Sequence, residues 1–336
     1  MRRLEKGGFG MATIKEVAKR AGVSVGTVSK VINHIEVKPK TKQAVELAIK
    51  ELKYEPNIYA RGLKVSRTHT IALILPTVWH PFYGELAYHI ERYLRQNQYK
   101  MILCNSEGDY LTELAYLTMA KQNQVDGIIT ITYSDIESYI PPTIPLISID
   151  RFFNEEIPYV SSDNFSGGAL AAKHLDDVGC QSVCFVGHGS KKDNATRNRR
   201  KGFVDYCEKH QKCYQIFDDQ GNHEAFQRNL ELFLKNEVIE KSAIDGIFAV
   251  TDDYAFQVVD YLIQQGKRVP EDVQIIGFDG IKSSVTDEIK ITTICQPIEE
   301  IAKRSVGGVI ALINKQEVSH EVLLPVHLFQ GKTTKG

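Results

Sequence analysis

From Thr70 onward, short apolar runs alternate with amphipathic segments, and this alternation limits the fold more than any other feature of the 336-residue sequence. The runs are TIALILP (70–76), YKMILCNS (99–106), DGIITIT (126–132), PLISID (145–150), SVCFVGH (182–188), YQIFD (214–218), DGIFAVTD (245–252) and VQIIGFDG (273–280). Between them lie amphipathic segments such as PFYGELAYHIERYLRQNQ, FSGGALAAKHLDDVG and DYAFQVVDYLIQQG. Strands that are apolar throughout, not at every second position, belong to parallel sheets covered by helices on both faces. So many strands could close one barrel or divide into two doubly wound lobes. DGIITIT and DGIFAVTD begin 119 residues apart, each after a helical segment, which favours two similar lobes.

The first 67 residues read differently. They hold 15 Lys and Arg against 6 Asp and Glu, whereas the remainder is net acidic and the whole chain carries −1. A basic head on an acidic body predicts that the head meets a polyanion. Within the head, Thr13 and Glu16 are spaced as a capping box in front of IKEVAKRA. Gly22 permits the turn that ends this helix. Ser24 caps a second helix, VGTVSKVI, and a third is expected from Thr41 to Pro56. Two short helices around a Gly-containing turn form a helix-turn-helix, whose second helix places its first residues in the major groove. Those residues are Val25, Gly26 and Thr27, with Lys30 one turn on; the hydroxyls of Ser24, Thr27 and Ser29 suit phosphate oxygens. Residues 57–68 make a segment too short for a stable isolated helix in water. It is either a plain linker or a helix that forms only on DNA beside a second copy, with Leu63 as an apolar wedge for the minor groove.

The core ATIKEVAKRAGVSVGTVSKVIN, the YEPNIYARGL segment and the later IGFD motif closely resemble the lactose-repressor/galactose-repressor family, in the family's order, from Ala12 to Thr334. The resemblance implies an N-terminal all-α helix-turn-helix domain followed by a two-lobed, periplasmic-binding-protein-like α/β domain with doubly wound parallel sheets, crossed three times by the chain. The expected division is a leader at 1–11, the DNA-binding domain at 12–56 and a hinge at 57–68. The body then has a first lobe at about 69–168 and 298–325, and a second at about 169–296 and 326–332. The resemblance also implies a DNA-contacting set of Thr13, Ser24, Val25, Gly26, Thr27, Ser29, Lys30 and Asn33, with Asn57, Tyr59, Ala60 and Leu63 in the hinge. Lys30 departs from an arginine common in the family and cannot form the same planar fork to guanine. The spellings SSDN and TDD look like those of sucrose- or other disaccharide-operon regulators.

Ligands of open α/β sheets bind beyond the carboxyl ends of the strands. Polar and aromatic residues there give the effector candidates Trp79, Phe82, Ser106, Asp150, Arg151, Asp163, Arg197, Arg199, Thr251, Asp252, Asp279 and Gln296, with His80 beside them. Carboxylates and guanidinium forks suit sugar hydroxyls, and rings suit a sugar's C–H face. Matching to the family favours Arg199 and Asp279 most; Asp252 falls in a position where Thr251 replaces a common Asn.

Other classes are disfavoured. GHGSKKDNA is too glycine-poor for a phosphate cradle, so a nucleotide-dependent enzyme is not expected. None of the ten histidines has metal-ligand spacing, and the six cysteines, including Cys180 and Cys184 as CxxxC, read as free thiols, so neither metal nor cofactor is expected. No stretch reaches the roughly 18 apolar residues that cross a bilayer. The expected molecule is a cytoplasmic, homodimeric repressor. Its partners are double-stranded, pseudo-palindromic operator DNA and a small effector, a sugar or sugar phosphate. The alternatives are a regulator answering to a purine or a protein co-repressor, and a sugar-binding protein without DNA function.

Overall fold

The computed structural model describes residues 12–32, 35–54, 67–188, 194–219, 223–282 and 288–336. They fall into two units that divide between Thr68 and His69. The leader at 1–11 and the hinge calls Asn57, Tyr59, Ala60 and Leu63 lie outside the described residues, as does Asn33.

The first unit contains α1 (Ile14–Ala21), α2 (Val25–Ile32) and α3 (Pro39–Glu51). The capping box forms: the Glu16 amide donates to Thr13 Oγ1 at 3.3 Å, and the Thr13 amide donates to Glu16 Oε2 at 2.6 Å. Gly22 takes the left-handed conformation at φ 65, which ends α1. Ser24 Oγ accepts from the Thr27 amide at 3.2 Å and so starts α2. The third helix begins at Pro39, ahead of the expected Thr41, because proline in a first helical turn lacks only an N–H that the helix does not need. It stops at Glu51, before Pro56 is reached, with Lys53 turned to φ 47. Val17, Ala18, Val28, Val31, Val45 and Ala48 form the buried centre. All six are small, so this core depends on close helix contact more than on bulk.

The second unit carries two sheets. The first is built from β1 (Thr70–Leu75), β2 (Lys100–Asn105), β3 (Gly127–Thr130), β4 (Leu146–Ile149), β5 (Tyr159–Ser162) and β11 (Glu321–Leu324). The second contains β6 (Ser182–His188), β7 (Cys213–Asp219), β8 (Gly246–Ala249), β9 (Gln274–Asp279), β10 (Thr292–Cys295) and β12 (His327–Phe329). Their orders, β11-β5-β4-β3-β1-β2 and β12-β10-β9-β8-β6-β7, are one pattern used twice. All strand pairs are parallel except β10 with β12. In each lobe the first strand lies between the second and third, so the winding reverses there and leaves a crevice beyond β1 and β6.

Helices α4 (Pro81–Gln96), α5 (Tyr110–Gln122) and α10 (Ile298–Ile313) cover the first sheet; α6 (Asn164–Asp177), α7 (Ala195–Lys209), α8 (His223–Leu234) and α9 (Asp252–Gln264) cover the second. The chain crosses between lobes at Asp163, at Gln296–Pro297 and between β11 and β12. The first crossing lies ahead of the boundary expected at 168, because α6 already packs on the second lobe from its first turn: Asn164 Oδ1 accepts from Arg199 Nε at 2.8 Å, and Gly167 lies against the Phe278 ring. That lobe also runs past 332: Thr333 Oγ1 donates to the Ile275 carbonyl at 2.6 Å, and Thr334 Oγ1 meets His174 Nε2 at 2.8 Å. Cys180 and Cys184 are buried free thiols, as the apolar run around them predicts.

Candidate functional site

The two crevices of the body face one cleft of about 600 Å³. Its most strongly built wall begins with a close helix crossing. A Cβ on Gly168 of α6 would stand 1.9 Å from the Arg199 carbonyl oxygen, and one on Gly202 of α7 would stand 1.9 Å from that of Phe165. Only glycine at both positions lets the helices approach this far. The crossing brings Asn164, at the start of α6, to Arg199 on α7.

Arg199 is 3% exposed. Its Nε donates to Asn164 Oδ1 at 2.8 Å, and its Nη1 to the Val250 carbonyl at 2.7 Å and to Asp279 Oδ1 at 3.3 Å. Its guanidinium carbon lies 3.7 Å from the centre of the Phe278 ring. Burying a charge costs several kcal/mol unless it is paired and hydrogen-bonded, and every one of these contacts offsets that cost. The Nη2 hydrogens take no hydrogen bond among the described residues and are the donors left for a ligand.

Asp279 ends β9 at φ 121, a conformation that favours glycine, and Asp150 follows β4 at φ 59. A non-glycine residue in such a conformation persists only where its surroundings hold it, and these positions cluster at binding sites. Asp279 Oδ1 also accepts from Gln296 Nε2 at 2.7 Å, while Asp150 Oδ1 accepts from Ser161 Oγ at 2.7 Å. Burial raises the pKa of both carboxyl groups, and Arg199 opposes the rise in each.

Asp252 has a different task from the one the sequence assigns it. Its Oδ2 accepts from the Gly280 and Ile281 amides, both at 2.8 Å, and its side chain does not line the cleft. It pins the turn directly after Asp279. Burial, with Asp279 nearby, pushes its carboxyl up to about 8. Its neighbour Thr251 does face the cleft while capping α9, accepting from the Tyr254 amide.

The facing lobe contributes His80, Phe82, Tyr83 and Tyr133. His80 caps α4 through its Nδ1, which accepts from the Phe82 amide at 3.3 Å. The Tyr83 and Tyr133 hydroxyls meet at 3.1 Å. Burial, followed by Tyr133, holds the Tyr83 phenol well above its ordinary pKa, so it stays a neutral donor and acceptor.

Of the sequence candidates, Phe82, Asp150, Arg199, Thr251, Asp279 and Gln296 therefore meet around one space. The others lie elsewhere. Trp79 is 95% exposed. Ser106 is buried under the loop and donates to the Leu75 carbonyl and to Glu113. Arg151 is spent on the Thr132 and Ser134 carbonyls and stacks 4.4 Å from the centre of the Phe153 ring. Asp163 caps α6 through the Ser166 amide, and Arg197 borders a separate crevice with Arg200 and Asp218. The sequence reading missed Tyr83, Tyr133, His188, Asn194 and Tyr254, which also line the cleft. A polar residue opening a helix after a strand signals Asn194, since its side chain caps α7; nothing local marks the rings.

In the head, Ser24, Val25, Gly26 and Lys30 are exposed along the start of α2, with Thr27 and Ser29 partly so and Thr13 exposed at the start of α1. Ser24 Oγ and Thr27 Oγ1 lie 2.9 Å apart, so the cap and any phosphate contact share these hydroxyls. Among the described residues there is no cluster of metal-ligating side chains and no helix long and apolar enough to cross a membrane.

Comparison with known proteins fits both units. A model of the lacI family of bacterial regulatory proteins matches residues 13–57, and a periplasmic binding protein-like domain matches residues 172–334. The chain is 35% identical over 329 residues to the ribose operon repressor of Halalkalibacterium halodurans, covering 97% of this chain and 98% of the relative. The chain belongs to the lacI family. It is also 35% identical over 325 residues to the sucrose operon repressor of Streptococcus mutans, covering 96% and 99%. The crystal structure of the lac repressor dimer bound to operator and an anti-inducer superposes with a TM-score of 0.83 over 97% of this chain and all of the other. At 22% identity that likeness speaks for the fold. This lacI-family member is thus a helix-turn-helix DNA-binding repressor and not an enzyme.

Proposed function

We propose that this repressor acts in the cytoplasm as a homodimer on a pseudo-palindromic operator, and that a neutral sugar bound between its lobes sets its grip. The observation that carries the reading is the Arg199–Asp279–Asp150 arrangement in the cleft, faced by aromatic rings. Fixed carboxylates and one guanidinium recognise hydroxyl groups in pairs, and the rings cover the apolar face of a sugar. Two carboxylates against one guanidinium offer no surplus positive charge for a phosphate.

Support for the dimer comes from the operator-bound lac repressor and from the surface of the first lobe. Edge strand β2 exposes Leu103, and the helices flanking it expose Tyr88 and Leu111. Apolar surface on a sheet edge is what a second copy covers. Two heads held so would read half-sites about one helical turn apart. The effector shifts the repressor only by its different affinity for two lobe orientations, which reset the spacing of the segments at 57–68.

The test is DNA retention by the full-length protein as salt rises. Affinity should fall with a log–log slope of roughly −0.9 per phosphate contact. A panel of neutral sugars should contain one that moves the curve. If no duplex is preferred at low ionic strength, with or without sugars, the reading is wrong. If only a purine moves the curve, the effector half is wrong.

A further inference from the structure

Tyr133 lines the cleft from the loop that follows β3, and the backbone on either side of it is gripped by Arg151 and Glu113. Arg151 Nη1 donates to the Thr132 carbonyl at 3.3 Å and to the Ser134 carbonyl at 2.5 Å, while its Nη2 reaches Asp135 at 3.4 Å. Glu113 of α5 is fully buried and accepts from the Thr132 hydroxyl. That hydroxyl accepts in turn from the Ser134 amide at 3.1 Å. The residues before and after Tyr133 are thus tied down. The Tyr133 side chain itself stays 48% exposed, and its hydroxyl meets that of Tyr83.

Neither Arg151 nor Glu113 lines the cleft. The chain takes φ 59 at Asp150, whose carboxylate faces the cleft, and the next side chain, Arg151, passes to the loop instead. Two carbonyls and a carboxylate within four residues suit the planar fork of a guanidinium, and an ammonium lacks that fixed plane. The Phe153 ring, its centre 4.4 Å from the guanidinium carbon, supports the fork from one face. Burial lowers the Arg151 pKa, and Asp135, Glu113 and Glu137 oppose the change, so the grip keeps its charge. A ring carried on backbone held in this way is ordered before a ligand arrives, and the ligand is spared the cost of immobilising it.

We propose that Arg151 and Glu113 are positioning residues of the effector site: by holding the backbone on both sides of Tyr133, they set its ring as the first lobe's fixed contact to the sugar. The inference rests on the sugar reading of the cleft. It adds to that reading two charged residues that govern the fit without touching the ligand.

Two measurements on the full-length chain test it. Calorimetry with ribose, glucose, fructose, sucrose, maltose and cellobiose finds the tightest of these sugars, against which variants are compared. Tyr133→Ala should weaken that sugar by about three- to tenfold. Arg151→Gln should weaken it by a similar factor and Arg151→Lys by less. Arg151→Gln combined with Tyr133→Ala should bind no worse than Tyr133→Ala alone, since nothing is left to position. Losses that multiply would show Arg151 acting on the sugar by another route and overturn the proposal, as would a Tyr133→Ala variant that binds normally. The second measurement needs no sugar. The only tryptophan in the sequence, Trp79, is 95% exposed, so Tyr133→Trp in a Trp79→Phe background leaves one indole, at position 133. Adding Arg151→Gln should lower its fluorescence anisotropy, and an unchanged value overturns the proposal. Unaltered operator affinity checks that each variant is folded. If Arg151→Gln fails that check, Arg151→Lys and Asp135→Asn, at a largely exposed carboxylate, replace it in both measurements. If the anisotropy falls but none of the six sugars binds, the sugar reading of the cleft is wrong and the role of Tyr133 as a sugar contact goes with it. A sugar that binds equally well to all the variants would sink the positioning role alone.

Discussion

The two lobes share a strand order but bring different chemistry to the cleft between them. On the second lobe, Arg199 and Asp279 are almost fully buried and tied to Asn164, Val250, Gln296 and each other. Asp252 adds support by holding the backbone after Asp279. On the first lobe the cleft meets Asp150, held by Ser161, together with His80, Phe82 and two tyrosines whose hydroxyls bond mainly to one another. One wall is braced throughout by its own hydrogen bonds, and the other, Asp150 apart, is made mainly of rings. Affinity should therefore reside mostly on the second lobe.

The strongest challenge to this asymmetry is Arg199→Ala. Hydrogen bonds to charged groups are worth about 1.5–3 kcal/mol each, so losing the remaining donors should cost the sugar at least about 100-fold in affinity by calorimetry. Operator retention in a gel shift should stay. An equal loss from a first-lobe substitution would break the comparison.

A smaller effect follows from Asp252. Its folded-state pKa is raised from 3.8 to about 8, so its contribution to stability is full below about pH 4 and lost as pH rises toward 8. Asp252→Asn removes this titration. Between pH 5 and 8.5 the wild-type melting temperature should drop relative to the variant by on the order of 5 °C. Parallel curves would mean that burial does not raise this carboxyl in the folded protein. Tyr83→Phe should matter least, weakening the sugar by only a few-fold, because the lost hydroxyl is bonded chiefly to Tyr133. A loss beyond tenfold would move first-lobe hydroxyls into the receptor proper.

What the sequence revealed follows from how local each signal is. Thr13, Glu16, Gly22 and Ser24 act on neighbours within a few positions, so the first two helices could be bounded to the residue. The long apolar strands were legible for the same reason. Four strands were not: Tyr159–Ser162, Thr292–Cys295, Glu321–Leu324 and His327–Phe329. YVSS and TTIC read as polar, yet Ser162, Thr292 and Thr293 are buried. The Ser162 hydroxyl is satisfied by Gln296, 134 residues away, and that of Thr292 by Thr334. A buried hydroxyl whose partner lies that far along the chain leaves no periodicity to detect. In the cleft, Arg199, Asp279 and Asp150 were found because they end strands or fit a motif. Tyr83 and Tyr254 were hidden among the apolar residues of amphipathic helices. Asp252 was found but misassigned, since a carboxylate that binds ligand and one that binds backbone look alike in a sequence.

The three crossings bear on how the molecule is made. Helix α10, whose Ile301, Ala302, Val306 and Val309 plug the first lobe's interior, emerges from the ribosome only after β6 to β10 of the other lobe. The head can finish folding early, because its three helices are contiguous. The first sheet must wait, with one flank uncovered, through the synthesis of nearly a whole second lobe. A nascent body of this kind is a natural client for chaperones, and neither lobe can be cut out of the gene as one uninterrupted stretch.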